Sequence, residues 1–230
     1  MEIRRELVYN WCEVGEKMKN IPVFTTSYGI ATLILREIPY SQRAYILPQS
    51  VFTSLPELVQ ECAGFCRAAG AEQIFAKLDA AINGAAFQCE IWELTRRGAL
   101  PQPERELALS AVTTENSEAY RSLYNEKFAL VDNAAYCDRA DAAKLIEEGG
   151  WLYVADGEVL GLGQVQGSEL RAIATARKGL GFDLAVALMK KLDTEQVHLS
   201  VASSNAPALR LYERLGFEKT AVRSRWYRIL

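Results

Sequence analysis

The feature that most constrains the fold is a strand, a loop with two glycines, a helix and a second strand in direct succession. Residues E169-L-R-A-I-A-T175 alternate as a β-strand does, and A176-R-K-G-L-G-F182 follows them as a loop. A helix is predicted over 182–192, and a short strand over V197-H-L-S-V201, whose apolar residues share one face. The order predicts an α/β domain in which this loop leads directly into a helix.

The loop has the composition of an anion site. Glycines such as Gly179 and Gly181 let the backbone approach a ligand closely, and the following helix presents unpaired N–H groups at its positive end. Together they suit a pyrophosphate, and Arg177 and Lys178 add positive charge. A tight turn that needs the glycines only for its geometry is the alternative. A P-loop is disfavoured because no lysine followed by serine or threonine succeeds the last glycine.

A second motif, S203-S-N-A-P-A-L-R-L-Y-E-R-L-G-F217, lies near the end of the chain. Asn205 at or near the cap and Pro207 in the first turn begin a helix, and Gly216 ends it. Tyr212 falls beside the apolar stripe of this helix. Taken alone, it is interpreted as an amphipathic residue at the edge of a core.

The two motifs in this order resemble the GNAT superfamily of N-acetyltransferases. The resemblance covers residues 107–230, and its most specific part is the second motif, with Asn, Ala, Tyr and Gly-Phe at the family's spacing. It implies an α/β fold with a mixed α+β sheet whose central strands splay apart between 169–175 and 197–201. Acyl-CoA is then expected in the gap, and an N-acyltransferase activity follows.

The resemblance also implies how acetyl-CoA, as co-substrate, is held. The backbone of residues 173–175 is expected to bond the pantetheine arm, much as an added strand pairs with a sheet edge. Backbone N–H groups of residues 178–182 are expected to hold the pyrophosphate, and Asn205 to bond the arm or the neighbouring backbone. The expected cofactor-binding residues are Ile173, Ala174, Thr175, Arg177, Lys178, Gly179, Leu180, Gly181, Phe182, Asn205 and Ala208.

Catalytic roles follow from the same resemblance. Tyr212 is expected to point at the thioester sulfur and to protonate the departing thiolate as a general acid. Glu169 stands where family members often place a carboxylate, so it is the candidate general base; a solvated residue at a strand end is the alternative. His198, the one histidine of the chain, has chemistry that suits a base, but its position favours a sheet-surface residue.

One position departs from the family pattern. The family's loop usually begins with Gln or Arg where this chain has Ala176, and the connection from Ile173 to Gly179 is about two residues short. Arg177, one place along, is the candidate substitute. The departure favours a second hypothesis, a non-catalytic module that binds or senses acyl-CoA. A nucleotide-phosphate enzyme such as a kinase is a third.

The first hundred residues are organised differently. An amphipathic helix is predicted over 1–20, and strands, a helix with a capping box of Ser54 and Glu57, and further strands follow. The proline-rich segment G98-A-L-P-Q-P-E-R105 is the candidate linker. Two domains are therefore predicted: residues 1–100, an α/β region, and residues 106–230, the GNAT domain. The order of elements in the first suggests a degenerate GNAT-like copy, with coincidence as the alternative.

Composition and charge limit the kinds of partner that are expected. The formal net charge is −3, so no nucleic-acid partner is expected, and no apolar run is long enough for a membrane span. The five cysteines are scattered, which predicts buried reduced thiols in a cytoplasmic protein and no metal site. The expected partner is a small-molecule or peptide amine acceptor, and the expected assembly is a monomer or homodimer.

Overall fold

The computed structural model describes residues 23–230. The helix predicted over 1–20 lies outside the described residues. Within 23–230, no helix is both long and apolar enough to cross a membrane. The strands and helices predicted from sequence in this range are present, in the predicted order.

The described chain divides into two compact units. One unit is Trp92–Ala221, and the other comprises the chain from residue 23 to Ile91 together with Val222–Leu230. Two long strands therefore each contribute to both units. The sequence-based division into 1–100 and 106–230 stays a prediction.

The N-terminal unit is a mixed sheet with a helix on one face. Its strands run in the order β1-β2-β3-β4-β11, and only β3 and β4 pair in parallel. Helix α2 buries Leu58, Val59 and Cys62 against this sheet, within a core closed by Tyr227 and Ile229. The elements of this unit are β1 Val23–Thr25, β2 Gly29–Ile34, α1 Ile38–Ser41, β3 Arg43–Val51, α2 Leu55–Ala68, β4 Gln73–Lys77, the first part of β5 Ala85–Arg97 and most of β11 Glu218–Ile229.

The predicted capping box of α2 is wrong. Ser54 is the N-cap residue, but its side chain makes no capping hydrogen bond. A capping box does form at α4 (Arg139–Glu148), where the Asp138 side chain accepts from the Asp141 backbone N–H at 2.8 Å and the Asp141 side chain accepts from the Asp138 backbone N–H at 3.3 Å. An aspartate is shorter than the Glu or Gln of the usual motif, which is why the sequence pattern did not indicate this second box.

The C-terminal unit is also built on a mixed sheet, with helices on both faces. Its strands run β5-β10-β9-β8-β7-β6, and β9 and β10 are parallel. One apolar cluster joins α5 and α6 to the sheet, and another joins α3 and α4 to it. The remaining elements are β6 Leu109–Ala111, α3 Ser117–Phe128, α4 Arg139–Glu148, β7 Gly150–Ala155, β8 Glu158–Gln166, β9 Glu169–Thr175, α5 Gly181–Met189, β10 Gln196–Ala202 and α6 Ala206–Arg214.

The central parallel strands of this unit splay apart. Within the described residues, β9 and β10 share a single register pair, Glu169 with His198, and the His198 backbone N–H donates to the Ser168 carbonyl at 2.9 Å. Beyond that point β9 pairs only with β8 on its other side. The predicted mixed sheet with splayed central strands is confirmed.

A β-bulge lies at the vertex where the strands part. Gln164 and Val165 are consecutive on β8, yet they pair with Ala172 and Leu170, so Arg171 is an extra residue in β9. A bulge bends its strand and increases its twist. It therefore turns the remainder of β9 away from the direction set at Glu169.

Helix α5 lies very close to β8 because two strand glycines leave room for it. A Cβ at Gly163 would stand 2.2 Å from a Leu188 methyl, and one at Gly161 would stand 2.8 Å from a Leu184 methyl. This close packing fixes α5 against β8, and the loop that follows β9 leads into its first residue, Gly181.

Candidate active site

The loop between β9 and α5 is open to solvent. Residues 176–179 are exposed, and the Ala176 backbone N–H is fixed by the Leu160 carbonyl at 2.9 Å. Gly179 adopts φ +88°, a conformation in which a side chain is strained. Helix α5 begins at Gly181, and no side chain caps its N-terminus. The first-turn N–H groups are thus available to an anion.

The charges around this loop are less favourable to an anion than the sequence suggests. Arg177 forms an exposed ion pair with Glu158. Asp183, in the first turn of α5, is 2% exposed and accepts the Glu104 backbone N–H at 2.8 Å. That carboxylate already complements the positive helix end. Lys178 remains as an exposed cation beside the loop.

The edge of β9 that faces the splay is available for backbone pairing. Ile173, Ala174 and Thr175 are half-buried and pair with Gly163, Leu162 and Gly161 on the β8 side. Successive residues of a strand direct their backbone groups alternately to its two edges, so this stretch also presents N–H and C=O groups toward β10. Within the described chain, no register pair with β10 uses them.

Helix α6 begins as the sequence predicts. The Asn205 side chain accepts the Ala208 backbone N–H at 3.2 Å, so this asparagine serves the neighbouring backbone. The C-terminal end of α6 is held by Arg96, which is 7% exposed and donates from Nε to the Leu215 carbonyl at 2.7 Å. Sequence reasoning missed Arg96, because a basic residue near the end of a strand carries no signal for a contact 119 positions away.

Tyr212 is the one buried residue of α6. Its side chain is 7% exposed and packs edge-on against Phe217, with ring centroids 5.7 Å apart. It belongs to the apolar cluster that includes Leu170 of β9 and Val201 of β10, the two diverging strands. Burial raises the pKa of the Tyr212 phenol, so the hydroxyl keeps its proton through the physiological range.

The vertex of the splay carries polar side chains. Glu169 Oε2 lies 3.1 Å from Arg171 Nε, so the candidate base is engaged in an ion pair. His198, its register partner, bonds Thr95 Oγ1 through Nδ1 at 3.0 Å and Gln196 Nε2 through its own Nε2 at 3.0 Å. The Thr95 contact spans 103 positions, so no local pattern in the sequence indicates it.

A cavity of about 310 Å³ is lined by residues of α6, β5 and the start of β11. None of the predicted cofactor-binding residues lines it. It is lined by Trp92, Leu94, Ala206, Leu209, Arg210, Glu213, Phe217 and Lys219.

Two further predictions concern metals and thiols. Within residues 23–230, no group of three His, Cys, Asp or Glu side chains is arranged to hold a metal ion. The cysteines at 62, 66, 89 and 137 are buried thiols, as predicted. Cys12 lies outside the described residues.

Comparison with known proteins addresses the family. A family model described as FR47-like protein matches residues 159–227, from β8 to β11. A GCN5-related N-acetyltransferase from Sphaerobacter thermophilus has a similar structure, with a TM-score of 0.55, 16% identity, and coverage of 87% of this chain and 76% of that chain. The chain has a GNAT fold. This likeness of fold confirms the GNAT resemblance recognised from the glycine loop and the Tyr212 motif.

Two other structural matches extend beyond the C-terminal unit. A functionally unknown conserved protein from Staphylococcus epidermidis matches with a TM-score of 0.55 and 11% identity over 94% of this chain and 93% of that one. A tandem GNAT protein from the clavulanic acid biosynthesis pathway matches with a TM-score of 0.52 and 12% identity over 87% and 78%. No curated protein matches the chain. At these identities the likeness is one of fold.

Proposed function

We propose that this GNAT protein is an acyl-CoA-dependent N-acyltransferase that moves an acetyl group from acetyl-CoA to a primary amine. The amine attacks the thioester directly in a ternary complex. The observation that carries the proposal is the splay: β9 and β10 share one register pair and then separate. A parallel pair buried in a sheet normally continues its ladder, so backbone groups left open here need another partner.

In this proposal the cofactor occupies the opening between the strands. The pantetheine arm pairs with the open edge of β9 at Ile173, Ala174 and Thr175. The pyrophosphate lies at the exposed loop, held by backbone N–H groups from Lys178 to Phe182 at the uncapped start of α5. Arg177 reaches the phosphates only by leaving Glu158. Asn205 acts through the backbone of α6, where it caps the helix that carries Tyr212.

Tyr212 is the proposed general acid. Attack by the amine expels a thiolate, and a phenol in the apolar cluster that includes Leu170 of β9 and Val201 of β10 delivers a proton to that sulfur. The raised pKa keeps the phenol protonated but makes it a weaker acid. The driving force for proton transfer from Tyr212 grows when the acceptor is a thiolate, because the thiolate is itself poorly solvated in the same cluster.

Glu169 is the base that the family resemblance implies. It stands at the vertex, next to where an acyl group inserted between the strands would end. Its pairing with Arg171 at 3.1 Å means that it must exchange this partner to take a proton. The change Glu169→Gln tests the role, because a base is lost while the side-chain volume is kept.

The N-terminal unit is proposed to be a degenerate GNAT-like copy. It repeats a parallel strand pair joined by a helix, β3-α2-β4. The fold match to the tandem GNAT protein covers 87% of this chain, more than the C-terminal unit alone supplies. Its closed strand pair suits a structural role.

A non-catalytic acyl-CoA-binding module is the second candidate. One observation favours it: Tyr212 is 7% exposed, so its hydroxyl has little access to a bound thioester. Both candidates predict that CoA stabilises the protein, by about 2.7 kcal/mol at 100 times the Kd. Only the enzyme predicts turnover.

The experiment combines these two readouts. Thermal unfolding is followed with and without acetyl-CoA, and release of free CoA is measured with a panel of amines. Stabilisation with turnover supports the enzyme, and stabilisation without turnover for any amine supports the binding module. No stabilisation by acetyl-CoA contradicts both.

A further inference from the structure

The hydrogen bonds around His198 form a chain with a fixed direction. The Thr220 hydroxyl donates to the Glu93 carbonyl at 3.3 Å, which uses its only hydrogen. The Thr95 and Thr220 hydroxyl oxygens lie 3.2 Å apart, so Thr95 must be the donor of that pair. Thr95 then has no hydrogen left for the imidazole and accepts from it at 3.0 Å.

This direction decides the tautomer of the imidazole. His198 Nδ1 must carry the proton that it donates to Thr95, and the Glu93 carboxylate oxygen 3.7 Å from the same nitrogen favours it further. In the neutral ring Nε2 is then unprotonated and accepts a hydrogen bond. The Gln196 amide nitrogen, 3.0 Å from Nε2, is the matching donor. Two independent contacts therefore agree on one tautomer.

The imidazole ring of His198 lies at the vertex of the splay. His198 is the residue of β10 at which pairing with β9 ends, opposite Glu169. Registered residues of adjacent strands share a face, so the His198 side chain lies on the same face of the sheet as Glu169, whose ion-pair partner is Arg171. Its side chain is 32% exposed. The charged residues around His198 are therefore Glu93 on β5, and Glu169 and Arg171 on β9.

We propose that His198 Nε2, rather than the Glu169 carboxylate, is the proton acceptor for the incoming amine, and that Thr95 and Thr220 are its positioning residues. This rests on the proposed acyl transfer. The Gln196 amide N–H occupies the place that an ammonium N–H of the substrate would take, and the substrate displaces it. The substrate class is accordingly a primary amine that arrives protonated, at a vertex flanked by the carboxylates of Glu93 and Glu169.

The proton balance is complete. The ammonium gives one proton to Nε2, and the freed lone pair forms the C–N bond to the thioester carbonyl carbon. The C–S bond breaks, and the thiolate takes the proton of Tyr212. The second amine proton leaves the tetrahedral intermediate for solvent, which also restores the phenol. The imidazolium, stabilised by the nearby Glu93 carboxylate, releases its proton to solvent, so one proton is liberated in each cycle.

The tautomer is measured directly, because the chain has a single histidine. Long-range ¹H–¹⁵N NMR of the labelled full-length protein, at a pH where the imidazole is neutral, is expected to show a protonated Nδ1 and an unprotonated Nε2. The isosteric change Thr95→Val is expected to move the ring toward the Nε2–H form. Thr32→Val, on a strand of the other unit, is the matched control and leaves the signals unchanged. A wild-type ring protonated at Nε2 overturns the positioning chain.

Measurements of kcat distinguish a failure of this inference from a failure of the proposed function. With an amine that the wild type acetylates, His198→Gln is expected to lower kcat by about 10²–10⁴ with little change in stabilisation by CoA. Thr95→Val is expected to lower kcat less and to leave KM for acetyl-CoA unchanged. Full kcat in His198→Gln, with loss in Glu169→Gln, overturns the inference and leaves the proposed function intact. No turnover by the wild type overturns both.

Discussion

The two units contain the same arrangement, a parallel strand pair joined by a helix, in an open and a closed form. In the N-terminal unit β3 and β4 pair over four consecutive residues, from Arg43 with Gln73 to Ile46 with Ala76. In the C-terminal unit β9 and β10 pair at Glu169 and His198 alone. The secondary structure is the same, so the difference must come from local irregularities.

Two irregularities accompany the open form. The bulge at Arg171 bends β9 at the vertex, and the connection to α5 turns on Gly179 at φ +88°. The connection from β3 to α2 has no glycine, and α2 begins with an extended N-cap at Ser54. Interrupting the ladder leaves backbone groups of β9 unpaired on one edge, and this is the opening that the proposed function assigns to acyl-CoA. The complete ladder of β3 and β4 leaves no such opening.

The largest expected effect is on chemistry at the open site. Tyr212→Phe removes only a hydroxyl, and turnover is expected to fall by about 10²–10⁴ if that hydroxyl protonates the thiolate. Tyr227→Phe is the control in the closed unit, where the tyrosine is equally buried at 6% exposed. Initial rates of CoA release measure both variants. Equal activity in the two variants removes Tyr212 from its role.

A second prediction concerns the two helices. Gly163→Ala places a Cβ 2.2 Å from a Leu188 methyl and forces α5 away from β8, so stability is expected to fall by about 1–3 kcal/mol. Gly64→Ala on α2 meets nothing within 4 Å and replaces glycine in a helix, so it is expected to stabilise by about 1 kcal/mol. Urea unfolding measures both changes. A neutral Gly163→Ala would mean that α5 does not rest on this strand.

A third prediction concerns the loop. Gly179→Ala strains a residue at φ +88° in open space, and acetyl-CoA affinity is expected to weaken by about tenfold, or about 1.4 kcal/mol. Gly167→Ala, at φ +59° and also in open space, applies a similar strain away from the loop. Isothermal titration compares them. The same loss of affinity in both variants would show that the loop has no specific part in binding.

The smallest effect lies in the closed unit and depends on pH. Burial raises the pKa of the Cys66 thiol to about 12, whereas an unfolded thiol ionises near pH 8.5. The stability that the neutral Cys66 thiol contributes is complete below the pKa of the unfolded thiol, and it is lost as the pH rises toward the pKa of the folded one. Between pH 8.5 and 9.5 the loss is about 1 kcal/mol.

Cys66→Ala is expected to reduce the slope of the unfolding free energy against pH. This holds even if the substitution also changes the unfolding free energy by an amount that does not depend on pH. Denaturant unfolding at several pH values measures it. An unchanged slope would indicate that this thiol ionises equally in the folded and unfolded protein.

Much of the open unit follows from its sequence because its signals are local. The strand over 169–175, the glycine loop and the Asn205 cap are each set by neighbouring residues, and the structure has them at the predicted positions. The order of these elements indicated the splay through the family resemblance.

The environment of the site could not be predicted, because it depends on distant contacts. Asp183 is tied to the Glu104 backbone and Arg96 to Leu215, across 79 and 119 positions. The Thr95 contact that orients His198 is similarly remote, so the sequence favoured a plain sheet-surface histidine. The capping box at Ser54 failed for another reason: a matching motif does not guarantee that the side chain makes the bond.

The most direct measurement is a crystal structure of the protein with acetyl-CoA. The account predicts the pantetheine arm between β9 and β10, with the thioester sulfur within about 3.5 Å of the Tyr212 hydroxyl oxygen. Acetyl-CoA bound elsewhere, with Tyr212 still enclosed by apolar side chains and the strands unoccupied, would contradict it.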